Sequence, residues 1–213
     1  MYQPSHFQEN RPALLTGLIA AYPLATVLHH GAQGIEANLL PLLWQAVPGT
    51  PGKLIGHLAG PNSLAQADGQ MVSVLFHGPD AYVSPNWYPS KAEQHKAVPT
   101  WNYAVVEARG RLHCYRDPAR LAALLTELTT RFEAGQARPW RLEEAPADWL
   151  AQLYRVIVGV EIELDSLQGK FKLSQNRPAA DIAGTLAGLR ASGDRRSAAL
   201  ADWMERSAAA TQA

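Results

Sequence analysis

Three short stretches concentrate the side chains from which a binding site is built. The first, His77-Gly78-Pro79-Asp80-Ala81-Tyr82-Val83-Ser84-Pro85-Asn86-Trp87-Tyr88-Pro89, is followed by Lys91 and then Val98-Pro99-Thr100-Trp101-Asn102-Tyr103. Trp and Tyr offer large rigid faces with a polar tip, and proline removes entropy from the linking backbone. Together they suit a planar ligand or a subunit interface. The plainer reading is that these aromatics close a barrel end. The second stretch, Gly169-Lys170-Phe171-Lys172-Leu173-Ser174-Gln175-Asn176-Arg177, holds three cations and three hydrogen-bonding side chains. It reads either as a solvated loop or as an anion-binding rim. The third, Gly52 to Asn62, has strand alternation that puts Lys53, Ile55, His57 and Ala59 on one face before a Gly-Pro-Asn turn. A lone histidine there is ordinarily structural, and only its pairing with Lys53 and Asn62 points to phosphate contact.

Other chemistries are excluded by pattern. The chain has no Gly-x-Gly-x-x-Gly after a strand, no Walker-type phosphate loop, no Gly-x-Ser-x-Gly elbow and no His-Glu-x-x-His. Seven histidines invite a metal reading, but His29 and His30 are neighbours that a strand sends to opposite sides, so no metal site is expected. Cys114 sits beside His113 with the same geometry, and it reads as a small hydrophobe rather than a nucleophile.

The elements that must position these residues differ along the chain. Residues 1–100 hold four basic and five acidic side chains, against 19 of each sign in the whole chain of 213 residues, so the first half reads as buried and the second as solvated. Eleven of the fifteen prolines precede residue 100, between short strand-like runs at Leu24–Leu28, Ile35–Trp44, Lys53–Ala59, Met71–Phe76, Ala81–Ser84 and Trp101–Arg109. That rhythm predicts an antiparallel barrel rather than a parallel α/β sheet. A short helix opens the fold, with Asn10 as its cap, Pro12 in its first turn and Pro23 as its stop.

Gly110 and Arg111 read as a tight connection into Leu112–Tyr115. Asp117-Pro118 starts a helix with Leu121, Leu124, Leu125 and Leu128 on one face. A further helix is expected at Ala147–Ile157, then a strand in which Val158, Val160, Ile162 and Leu164 alternate with polar or small residues. Ala179–Leu189 is helical again. Residues 191–213 read as a helical or frayed tail beyond a single domain spanning 1–190.

Partners and location are bounded by charge and cysteine count. Zero formal net charge and a pI near 7.1 remove the broad attraction on which nucleic-acid and anionic-membrane binders rely. One cysteine forbids an intrachain disulfide framework, which predicts a reducing, cytoplasmic setting. Pro12 to Leu28 is too interrupted to span a membrane, and Met1–Asn10 lacks the basic start of a secretory signal.

Taken in order, these motifs resemble the PaiB-type family of FMN-binding negative transcriptional regulators. The likeness runs from Met1-Tyr2-Gln3-Pro4 and Phe7 through Gly56-His57-Leu58-Ala59, Tyr82–Tyr88, Lys91 and Val98–Tyr103 to Gly169–Asn176, covering about residues 1–190. The resemblance implies a mainly β fold with peripheral helices (α+β), an FMN-binding split β-barrel related to pyridoxamine-phosphate oxidases, usually dimeric with flavin across the subunit interface. It implies that Thr100, Trp101 and Asn102 flank the ring system, with His57, Asn62, Lys172 and Gln175 on the polar end and Lys53 and Lys91 as further cations.

The family continues Gly-His-Leu-Ala with arginine, where this chain has Gly60. A charge-assisted contact of about 1.5–3 kcal/mol is then missing, and FMN is expected to be retained less firmly. The reading favours a flavin-linked sensor or transcriptional regulator, with a flavin-dependent reductase or oxidase of small molecules as the alternative. Direct DNA contact finds thin support, because Arg190, Arg195 and Arg196 share their segment with Asp194, Asp202 and Glu205 and no helix-turn-helix signature is present.

Overall fold

A computed structural model describes residues 1–212. In chain order its elements are β1 (Gln8–Glu9), α1 (Pro12–Ala21), β2 (Leu24–Gly31), β3 (Gly34–Pro41), β4 (Leu43–Gln45), β5 (Lys53–Ala59), β6 (Met71–Val83), α2 (Ser90–Gln94), β7 (Thr100–Tyr115), α3 (Pro118–Glu133), α4 (Ala147–Val156), β8 (Ile157–Lys172), α5 (Ala179–Ala191) and α6 (Arg195–Gln212). They form two compact units. Met1–Ala21, His77–Glu107 and Gln168–Ala213 make one; Tyr22–Phe76 and Ala108–Leu167 make the other.

In the second unit the sheet order is β3-β2-β6-β7-β8-β5-β4, with antiparallel pairing at β2/β3, β2/β6, β4/β5 and β5/β8. Helix α3 starts where Asp117 accepts a hydrogen bond from Arg120 N at 2.8 Å, with Pro118 in its first turn. The leucines at 121, 124, 125 and 128 bury one face against Leu43, Ile55, Leu142 and Ile157, each contributing about 1.5–3 kcal/mol relative to exposure. Leu150, Leu153 and Tyr154 of α4 pack on the same cluster.

In the first unit β1 pairs antiparallel with the far end of β8, joining Gln8 to Lys170 and Glu9 to Gly169. Leu14, Leu15, Leu18 and Ile19 bury the inner face of α1. Helix α6 buries Leu200, Trp203 and Met204, and the Trp203 ring meets Phe171 edge-on at 5.8 Å. Residues 195–212 of the expected tail are thus helical, and Ala213 lies outside the described residues.

Several expected boundaries move. Strand β7 runs unbroken through Gly110, where the sequence reading places a turn, because a β-carbon there would collide with the carbonyl of Glu163. The glycine marks a close approach of two strands, not a reversal. Likewise β6 continues through Gly78, whose missing β-carbon would stand 2.8 Å from both Ala104 O and Leu18 Cδ1. Ile35–Trp44 divides instead at Leu42, whose N–H turns to Pro23 O at 2.9 Å. Strand β8 extends to Lys172, so Gly169–Lys172 is strand rather than loop.

Candidate functional site

The start of β7 and the end of β8 build the site in the first unit. Alternation along β7 buries Asn102 and Ala104 while leaving Trp101 55% exposed. Beside Trp101 the Tyr82 ring stands edge-on at 6.3 Å, 46% exposed. Asn102 Nδ2 donates to Ser174 Oγ at 2.8 Å, both residues being buried, and Ser174 holds a left-handed backbone (φ 64°) immediately after β8. For a residue with a β-carbon that conformation is strained and persists only where its surroundings impose it.

Lys172 closes the same end. Its Nζ donates to Thr100 Oγ1 and to Trp101 O, each at 2.5 Å. Burial pushes the ammonium below the usual lysine range, and the like charges of Lys170 and Arg177 add to the shift. Gln175 folds back on its own strand, its Oε1 accepting from Leu173 N at 2.7 Å and its Nε2 donating to Phe171 O at 2.5 Å. A cavity of about 120 Å³ opens between these groups, lined by Tyr88, Thr100, Asn102, Lys172, Ser174 and Arg177 among others, and no carboxylate among the described residues lines it. The Arg177 guanidinium lies 4.8 Å from the centre of the Tyr88 ring. Tyr88 is only 3% exposed, and its hydroxyl has no hydrogen-bond partner among the described residues.

Tyr88 is carried by a strap seated on α5. Ser90 donates to the buried carboxylate of Asp181 from its N–H at 3.0 Å and from its hydroxyl at 2.6 Å, holding that carboxyl below its usual range. One helix face then presents Gly184 and Gly188 to Trp87. A β-carbon at either glycine would collide, with the Trp87 carbonyl oxygen and the indole ring respectively. Lys91 on the same strap donates to Asn86 Oδ1 and does not line the cavity.

Lys53, His57 and Asn62 belong to the second unit. Lys53 Nζ pairs with Glu161 Oε2 at 2.9 Å, which balances its charge locally. Asn62 Oδ1 accepts from Leu64 N at 2.9 Å and caps the short 3-10 helix Ser63–Gln66. His57 Nδ1 has no hydrogen-bond partner among the described residues, and burial lowers the pKa of the ring. Gly60 donates its N–H to Val156 O at 2.8 Å, and Arg116 Nη1 lies 3.4 Å from where a Gly60 β-carbon would stand. Cys114 is pushed up to about 11, first by burial and then by Asp68, which keeps it a thiol. Among the described residues no three His, Cys, Asp or Glu side chains gather into a metal-holding group.

Tyr88, Ser174 and Arg177 were legible as members of the aromatic and polar stretches but not as cavity walls, since an orphaned hydroxyl is visible only in three dimensions. Arg116 carried no sequence signal at all. What the first-unit cavity offers chemically is two cations, amides and hydroxyls in a space suited to a small anion. Its volume lies below the ~300 Å³ at which pockets for whole cofactors begin.

Residues 1–166 match the family described as "Putative FMN-binding domain". An uncharacterized protein of Aspergillus fumigatus is 34% identical, over 65% of this chain and 66% of its own length. The protease synthase and sporulation protein PAI 2 of Bacillus subtilis is 31% identical, over 63% of this chain and 62% of its own length. The chain therefore spans roughly half to two thirds of the curated relatives it matches. Among solved structures, the FAD and heme binding protein from Mycobacterium smegmatis superposes with a TM-score of 0.59 at 18% identity, over 88% of this chain and 80% of that one. The flavocytochrome Anf3 from Azotobacter vinelandii gives 0.55 at 14% identity, over 78% and 69%. At such identities the likeness is one of fold alone, a mainly antiparallel sheet with helices. No helix among the described residues is long and apolar enough to cross a membrane.

Proposed function

The chain belongs to this FMN-binding domain family, and from that premise we propose that it is a flavin-linked sensor or regulator acting as a cytoplasmic homodimer. The observation that carries the reading is the convergence of Thr100, Asn102 and Lys172 at one end of β7 and β8, beside the exposed ring pair of Trp101 and Tyr82. In this reading FMN lays its ring system against Trp101, with Thr100 and Asn102 at its edge and Lys172 towards its polar side. A bound flavin supplies a redox-active ring and a visible absorbance; the chain's residues bind and orient it. Gly60 leaves that motif without a guanidinium, and Arg116 is the neighbouring group that would stand in for it.

A second copy is proposed to cover the outward face of β2 and β3. Leu24, Ile35 and Leu39 share that face and are 58%, 78% and 68% exposed. An apolar surface this continuous marks a contact region more often than a solvated one. Flavin that binds only the assembled dimer would then bias its stability and partner contacts by mass action, which is how such a protein regulates without touching DNA itself.

The test is a visible absorption spectrum after incubation with FMN and gel filtration, with the elution volume read for mass. Flavin co-eluting with a dimer supports the proposal, and a colourless monomer overturns it. Steady NAD(P)H consumption by the flavin-loaded chain would replace the regulator with an oxidoreductase.

A further inference from the structure

In the second unit, α3 and the chain that follows it line a cavity of about 710 Å³. The leucines of α3 turn into the core, which leaves Thr126, Thr129, Thr130 and Glu133 for the cavity. Beyond the helix the chain folds back on it. Trp140 N donates to Glu133 Oε2 at 3.0 Å, Leu142 enters the core cluster that holds Leu128, and Arg141 N donates to Glu144 Oε1 at 3.0 Å. Pro139 and Trp140 thereby join the wall, with Trp140 still 41% exposed.

We propose that this cavity binds an organic ammonium ion, a protonated amine carried on an apolar body. Its volume falls within the ~300–1,000 Å³ of small-molecule sites. Glu133, Glu143 and Glu144 stand in the wall against the single cation Arg141, and among the described residues none of the three carboxylates forms an ion pair. Glu133 and Glu144 are positioned by backbone N–H groups rather than neutralised by a basic side chain, so their charge is left for a ligand to balance. Helix α3 ends here, and the negative end of its dipole adds to the same sign.

The arrangement suits an organic cation better than a metal ion. Among the described residues no three His, Cys, Asp or Glu side chains gather as metal ligands do. The carboxylates are instead set among Trp140, Pro139, Leu142 and the threonine methyl groups, a surface that a carbon body covers and a bare ion leaves unused. The Trp140 ring offers a face to the ammonium or to that body. The hydroxyls of Thr129 and Thr130 can accept from its N–H groups. This site does not rest on the flavin reading above, and its failure would leave that reading standing.

Calorimetric titration of the full chain with phenethylamine is the test. Phenethyl alcohol supplies the same body without charge, and phenylacetate supplies it with the charge reversed. Saturable binding of the amine at about millimolar concentration or below is expected, about fivefold or more tighter than the alcohol and weaker as salt is raised. Glu143→Gln should weaken amine binding about two- to fivefold and Trp140→Leu about fivefold. Trp140→Leu keeps the backbone N–H that Glu133 accepts, and circular dichroism of both variants checks the fold. Should Trp140→Leu fail to fold, Glu143→Gln, at an exposed side chain, carries the test alone. No saturable binding to the wild type, or binding indifferent to the folded variants, overturns the site. Alcohol or phenylacetate binding as tightly as the amine overturns the assignment of a cation.

Discussion

Replacing Gly184 with alanine sets two well-known effects against each other. In an open helix interior the added methyl group stabilises by about 0.5–1 kcal/mol, because alanine loses less backbone freedom on folding. At Gly184 the methyl group would fall on the Trp87 carbonyl oxygen, well inside the 3.0 Å that real β-carbons respect, and backbone cannot swing aside as a side chain does. Overpacking of this kind costs about 1–3 kcal/mol, so a net loss of about 1–2 kcal/mol is expected.

Gly17 supplies the control, since it lies inside α1 with nothing within 4 Å of its β-carbon position and should show only the stabilising effect. Urea unfolding of the two variants beside wild type reads the difference directly. If Gly184→Ala stabilises as much as Gly17→Ala does, α5 is not the seat of the strap, and the account of how Tyr88 is positioned falls with it.

Three further outcomes follow from the second unit. Arg116→Ala should reduce FMN retention about tenfold or more without lowering the unfolding midpoint, the loss expected for one charge-assisted contact, and an unchanged FMN titration would show that Arg116 does not serve in place of an arginine at 60. Because burial lowers the His57 pKa below its ordinary 6.5, the unfolded chain takes up more protons in the window just beneath that value. Stability there should fall as pH drops and stay full above it. His57→Gln should flatten this decline in pH-dependent denaturation curves; an identical pH profile would refute the assignment. Leu39→Lys removes an exposed side chain and should convert a dimer to a monomer at unchanged unfolding midpoint, as read by light scattering, whereas a surviving dimer would move the interface elsewhere.

Where local chemistry decides the conformation, the sequence was readable. Four leucines at helical spacing after Asp117-Pro118 could only be a one-sided helix, and β5 begins and ends at the residues its alternation indicates. The alternation from Val158 to Leu164 found β8 but not its length, because the polar run that follows keeps its pairing through Gln8 and Glu9, far away in the chain. Gly78 and Gly110 illustrate the ambiguity most clearly. A glycine between two strand-like runs serves a turn or a close approach equally well, and Glu163, which decides the matter at Gly110, lies far along the chain. The same holds at the site: Thr100, Asn102 and Lys172 announce themselves by type and motif, while Tyr88 and Arg116 matter through neighbours that no local pattern reveals.

The first unit is assembled from three separated stretches of chain, the last beginning at Gln168. During synthesis its opening helix and its aromatic strap therefore emerge long before β8's far end, α5 and α6 exist to receive them. At about 5–20 residues per second, the roughly sixty residues between Glu107 and Gln168 take about 3–12 s to make. Throughout that interval Leu18, Ile19, Val83 and Val106 have no finished core to enter. This is the period in which a nascent chain is most exposed to holding chaperones and to pairing with a neighbour on the same message. A slow codon run placed between Glu107 and Gln168 would lengthen it, and one placed before His77 would not.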